Sequence, residues 1–279
     1  MTGKNFLTRD GPTCTLTTDA SNEGWGVVYS NKSTGGLWPS DEKSHHINYL
    51  ELLAVFLGLK VFCRSHSDTH IRLQIYNTTT VAVINHMGTS HSEQLNTLTN
   101  KIWAWCISRN VWVSTAHIAG KSNVEADHES RQHQTATEWM LNKALLSQAL
   151  ESLQFTPEID LFASRLNCQF LQYVAYRPDP GAMAIDAFSL IWTGLKFYAF
   201  PPFSVILALL KKIQEDKAEG VYVLPNWPTQ LWFPKAMQMI TLACRVKSMG
   251  DTDVPNQPEQ IHPLHKRLNL LVCLLSAKS

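Results

Sequence analysis

Between Cys14 and Ile118 strand and helix signals follow one another in a fixed order, and that order restricts the fold more than any other feature. Thr13–Thr18 and Gly24–Ser30 read as strands, a turn-rich Asn31–Gly36 follows, and GLWP continues into a third strand. Leu50, Leu53, Ala54, Leu57 and Val61 recur at helical spacing, so an amphipathic helix is expected from Asn48 to about Arg64. IRLQIY (Ile71–Tyr76) is a strand, and Asn77 and Thr78 are good N-cap types for a helix through VAVINHM. Leu95, Leu98, Ile102 and Trp105 mark another helix, and Val111–Ile118 alternates as a strand does. This order predicts an α/β unit with a mixed five-stranded sheet and flanking helices.

Beyond Asp127 a polar stretch, HESRQHQTAT, marks a boundary. The expected organisation is a tail over 1–12, a first domain over 13–133, a connecting helix over 134–155, a second, smaller α/β domain over 156–249, and a linker with an incomplete C-terminal helix over 250–279. A length of 279 residues accommodates two such domains, and 44% hydrophobic with 17% charged residues excludes disorder. A net charge of +1 means that nucleic-acid binding would have to come from a local patch. The six cysteines are scattered without a Cys-x-x-Cys pair, which points to small buried hydrophobes and not to a zinc site. The N-terminus lacks the apolar core of a secretory signal, and the longest apolar run, Leu270–Leu275, is too short to cross a bilayer. A soluble protein of the cytoplasm or nucleus, without a membrane partner, is therefore expected.

Three acidic residues stand near strand ends and helix starts. Asp19 closes the first strand, Glu51 lies early in the first long helix, and Asp127 opens the last helix of the domain. Carboxylates on separate elements can converge on magnesium, a hard cation that prefers oxygen ligands, and paired ions can activate water against a phosphodiester. Spacing alone favours a plainer reading, in which each acid caps a helix or opposes its dipole.

The blocks TTDASNEGWGVV, HINYLELLAVFLGLK, IYNTTTVAVINHMG and STAHIAGKSNVEAD decide between these readings, because together they resemble the ribonuclease H domain of retrotransposons, most closely those of the tyrosine-recombinase (DIRS) type. The resemblance spans about Thr13–Arg131. It implies hydrolysis of the RNA strand of an RNA–DNA hybrid, with Asp19, Glu51 and Asp127 as metal ligands and catalytic residues, and His117 assisting proton transfer or product release. As a residue alone, His117 would be equally at home as a surface histidine at a strand end. The resemblance also implies a fourth carboxylate at the end of the fourth strand, where this chain has Tyr76. A neutral phenol with a pKa near 10 is a poor magnesium ligand. Asn77 cannot replace it, since adjacent strand residues face opposite ways. Magnesium binding is therefore expected to be weak or lost, and cleavage strongly reduced or absent.

In the second domain TPEIDLFASRLN, AIDAFSLIW, YAFPPFSVI and VLPNWPTQLWF follow in order. A helix is expected over Ser204–Lys217 and a strand at VYVLP. Phe200-Pro201-Pro202-Phe203 alone suggests a rigid turn packed on a core. Taken with its neighbours, about Thr156–Pro234 is similar to the phage-type Dam adenine-N6 methyltransferases, a methylase-like domain that accompanies ribonuclease H in DIRS-type elements. The resemblance implies that the first residue of that tetrapeptide accepts a hydrogen bond from the target amine while the last stacks on a flipped base. Phe200 cannot accept a hydrogen bond, whereas Phe203 can stack, so methyl transfer is doubtful. Asp160 and Asp186 match positions near the S-adenosylmethionine pocket only loosely, and the cofactor is not expected to bind. Trp192, Trp227, Trp232 and Phe233 are expected in the core and not on a stacking surface.

Three functions remain open at this point: a ribonuclease H-type nuclease, active or decayed; a non-catalytic nucleic-acid-binding remnant; and a DNA adenine methyltransferase. Expected partners are an RNA–DNA hybrid or another nucleic acid, together with the reverse transcriptase and recombinase parts of the same polyprotein. The chain reads as a piece of a longer element, with HPLHKRLNLL similar to the linker that leads towards the recombinase.

Overall fold

The computed structural model describes residues 11–131, 139–246, 252–253 and 268–277, so residues 1–10 of the expected tail over 1–12 and most of the expected linker lie outside the described residues. The chain divides into two compact units, Met1–His133 and Gln134–Ser279.

Unit 1 opens with an antiparallel meander, β1 (Cys14–Ala20), β2 (Gly24–Tyr29) and β3 (Lys32–Leu37). A short α1 (Ser40–Lys43) leads to α2 (Ile47–Phe62), then β4 (His70–Ile75), α3 (Thr78–Asn85), α4 (Glu93–Ile107), β5 (Trp112–His117) and α5 (Val124–Arg131). The strands form one sheet in the order β3-β2-β1-β4-β5, with β1, β4 and β5 parallel. This is the mixed five-stranded sheet that the sequence predicts.

The cause is local in each case. The ring of His46 caps α2 by accepting from the backbone of Asn48, and the side chain of Asn77 caps α3 by accepting from Thr80 N at 2.9 Å. α2 buries residues on every side, from Leu50 to Leu59, because it lies on the sheet and is covered in turn by α3 and α4. Ile71, Leu73 and Ile75 alternate inward along β4 to meet it. On the meander, a Cβ at Gly26 would lie 2.7 Å from Ser130 N, and one at Gly35 would lie 2.6 Å from Glu129 O. Two glycines thus allow α5 to rest directly on the backbones of β2 and β3.

In unit 2, β6 (Met140–Leu141) and α6 (Lys143–Leu153) precede β7 (Ile159–Asp160), β8 (Gln172–Ala175), β9 (Ala184–Ile185) and β10 (Phe197–Ala199). Then come α7 (Ile206–Glu215), β11 (Glu219–Pro225), α8 (Phe233–Met239), β12 (Ile240–Val246), β13 (Thr252–Asp253) and β14 (Leu270–Ser276). The main sheet has seven strands in the order β12-β14-β11-β10-β7-β8-β9, with β14 antiparallel to both of its neighbours. β13 pairs with β6 in a separate ribbon.

Three expectations are corrected here. Leu270–Ser276, expected within an incomplete helix, is a strand that runs between β11 and β12 with six residues buried. Its faces alternate: Val272 and Leu274 join α6 in one core, while Cys273 and Leu275 join α7 and α8 in the other. A strand covered on both sides is apolar throughout, so its sequence shows no period by which to tell it from a helix. α6 is likewise part of this unit and not a connector, since Leu146, Ala149 and Leu153 pack on that sheet. With seven strands against five, unit 2 is also not the smaller of the two. All six cysteines are free, with Cys63, Cys106 and Cys273 buried. No helix among the described residues is long and apolar enough to cross a membrane.

Candidate functional site

Asp19, on the last turn of the pleat in β1, is 6% exposed, and Glu51, on α2, is 4% exposed. Asp19 is held at both oxygens. Asn123, just before α5, donates from Nδ2 to Oδ1 at 2.9 Å, and Ser130, on α5, donates from Oγ to Oδ2 at 2.8 Å. Burial pushes the Asp19 carboxyl up to about 6, with the charge of Asp127 adding to the rise and the Ser130 hydrogen bond opposing it. Burial pushes Glu51 up to about 8, and the neighbouring charge of Asp19 raises it further. The buried Oε2 of Glu51 has no hydrogen-bond partner, and neither has the buried Oδ1 of Asn123.

Asp127 lies in the first turn of α5, and its charge reaches Asp19. Its side chain is 43% exposed and accepts from Arg131 Nε at 2.7 Å, one turn along the helix. Tyr76 follows β4 directly. The parallel register pairs Thr18 with Ile75, so Tyr76 is one step beyond, beside Asp19. Its ring is 52% exposed, 6.0 Å from that of His117, and packs against Gly120. Asn77 is committed elsewhere, capping α3 and donating to Asn48 Oδ1 at 3.0 Å.

The structure thus brings Asp19 and Glu51 together, leaves Asp127 at the rim in an ion pair, and sets Tyr76 with His117. Asn123 and Ser130 were not singled out from the sequence. Their signal is a spacing: 123, 127, 130 and 131 share one face at helical spacing, although α5 begins at Val124 and not, as expected, at Asp127.

The donor set does not fit a pair of divalent ions. Two carboxyls and the unpartnered Glu51 Oε2 offer hard oxygens to one cation, but Tyr76 adds a phenol and Arg131 competes for Asp127. Among the described residues no group of three or more His, Cys, Asp or Glu side chains is placed to hold a metal ion.

In unit 2 the parallel strands reverse their order between β7 and β10, the place where open α/β sheets form a crevice at the strand carboxyl ends. Phe200–Phe203 follows β10 at that edge. Phe200 is half-buried, Pro201 is buried, and the Phe203 ring stands edge-on to Trp227 at 5.0 Å. Asp160 is fully buried, and its oxygens accept from Phe162 N and Gln169 N at 3.2 and 3.1 Å. Asp186 adopts φ 61° and caps a turn by accepting from Phe188 N at 3.0 Å. Both side chains are therefore engaged with backbone. Trp192 and Trp232 are buried, and Trp227 and Phe233 pack against the same core, as expected.

No family model matches the chain, and no curated protein matches it. Three of the solved structures that match are ribonucleases H1. That of the halophilic archaeon Halobacterium salinarum NRC-1 is 17% identical with a TM-score of 0.34, covering 41% of this chain and 91% of its own. LC11-RNase H1 in complex with an RNA/DNA hybrid is 18% identical with a TM-score of 0.36, covering 42% of this chain and 92% of its own. The LC11-RNase H1 isolated from compost is 19% identical with a TM-score of 0.35, covering 42% and 91%. Scores this low transfer no function to the chain.

Proposed function

We propose that unit 1 is a ribonuclease H-like domain of retroelement origin that binds RNA–DNA hybrid but has lost most or all of its cleavage. The observation that carries this reading is the buried Asp19–Glu51 pair with Tyr76 set next to Asp19 in the strand register. An acidic pair made by one strand and one helix of the mixed-sheet unit, with Asn123 and the α5 residues Asp127 and Ser130 beside it, supports descent from a metal-dependent nuclease. The phenol at 76 supports its decay. Magnesium, if bound, would be held by Asp19 and Glu51 and would supply charge neutralisation.

Unit 2 is read as a methyltransferase-like domain without methyl transfer. A doubly wound sheet with Phe200–Phe203 at the switch point supports the fold, while a phenyl ring at 200 removes the acceptor for an amine. Thermal melts with and without S-adenosylmethionine are expected to coincide. A rise in melting temperature that grows with cofactor concentration would restore the methyltransferase reading.

For unit 1 the test is binding and cleavage of a labelled RNA–DNA hybrid by the full chain. Binding that weakens with salt, without product in magnesium or manganese, is expected. Rapid magnesium-dependent cleavage would reject the claim of decay, and no binding at any salt would reject the nucleic-acid reading.

A further inference from the structure

Tyr76 does more than remove a ligand, because its ring is open to solvent at the edge of the acidic pair. It is 52% exposed and lies 6.0 Å from the His117 ring at an interplanar angle of 32°. The two residues occupy the ends of adjacent parallel strands, with Ile75 in register with His117. Gly120 fixes the ring from behind: a Cβ there would meet Tyr76 Cε2 at 3.3 Å, so the glycine lets the phenol lie against the loop. Lys121 follows in that loop, exposed and without an ion pair among the described residues. Two tilted aromatic rings, with a lysine next in the chain after the glycine behind Tyr76, supply what a single strand needs, namely a π-face for a base and a charge for its phosphate. A base within a duplex is already stacked on both faces and has none to offer.

We propose that Tyr76 and His117 form an aromatic seat for one unpaired nucleobase, so that unit 1 grips the single-stranded flank of a nucleic acid. The inference rests on the nucleic-acid reading of unit 1 and specifies which part of the ligand is held. Tyr76 has then exchanged a metal ligand for a stacking contact, and the partner is a strand end or overhang.

The full chain is titrated by fluorescence anisotropy with a blunt RNA–DNA hybrid, the same hybrid with a single-stranded overhang, and an overhang of abasic residues. The overhang should bind more tightly than the blunt or abasic ligand. Tyr76→Ala should weaken overhang binding on the order of 5- to 150-fold, so that the overhang no longer binds more tightly than the blunt ligand, and Tyr76→Phe should bind as the parent does. Circular dichroism melts check that the variants fold. Equal binding of blunt and overhang ligands by the parent, or an undiminished Tyr76→Ala that still folds, would overturn the seat while sparing hybrid binding. Failure of the parent to bind any of the three would instead remove the nucleic-acid reading itself.

Discussion

Asp19 keeps its place because Asn123 and Ser130 hold one oxygen each. Removing a donor from a buried carboxyl leaves an acceptor unpaired, which costs about 1–3 kcal/mol. Ser130→Ala should therefore destabilise unit 1 by that amount in urea denaturation followed by Trp fluorescence, and a midpoint equal to the parent's would contradict the role of the hydroxyl. Asp160 in unit 2 gives a pH prediction. Burial raises its carboxyl from the usual 3.8 to about 7, against the pull of two backbone N–H groups. The folded state thus binds a proton that the unfolded state has released, so the stability it contributes is present below about pH 4 and lost as pH rises through about 7. Denaturation midpoints measured from pH 4 to 8 should show this fall in the parent and a flatter profile in Asp160→Asn. The resemblance points to Asp19, Glu51 and Asp127, but the Arg131–Asp127 ion pair could not be read from the sequence. Spacing shows which residues share a helix face, not which neighbour claims a charge.

Among the elements, α5 depends most on a feature outside itself. It lies on β2 and β3 through Gly26 and Gly35, where a methyl group would press on the backbone of Ser130 or Glu129. Backbone cannot move aside as a flexible side chain does, so Gly26→Ala should cost at least the 1–3 kcal/mol typical of overpacking. It should also lift Ser130 from Asp19, and protease digestion should cut α5 faster in the variant; an unchanged digestion rate would show that the helix docks without the glycine. α3 and β4 were legible from the Asn77 cap and from alternation, and α4 and α2 from apolar residues at helical spacing, although α2 is buried on every side and not on one face as expected. β14 was not legible. Covered by helices on both sides, LLVCLL has no polar face to reveal its period.

At the scale of the whole molecule, the proposed function gives each of the two compact units one altered position: Tyr76, the residue after β4, and Phe200, the residue after β10. Since β14 lies between β11 and β12 and hydrogen-bonds to both, deletion of residues 268–279 should abolish the cooperative unfolding of unit 2. Unit 1 has its own core and should melt as before; loss of both transitions would show that its core is not self-sufficient. The central claim is that unit 1 keeps the frame of a hybrid nuclease and lacks one ligand of its chemistry. Cleavage of a labelled RNA–DNA hybrid by the parent and by Tyr76→Asp, each in magnesium and in manganese, tests it most directly. The account predicts no product from the parent and metal-dependent product from Tyr76→Asp. Vigorous cleavage by the parent, or none by a folded Tyr76→Asp that still binds hybrid, would contradict it.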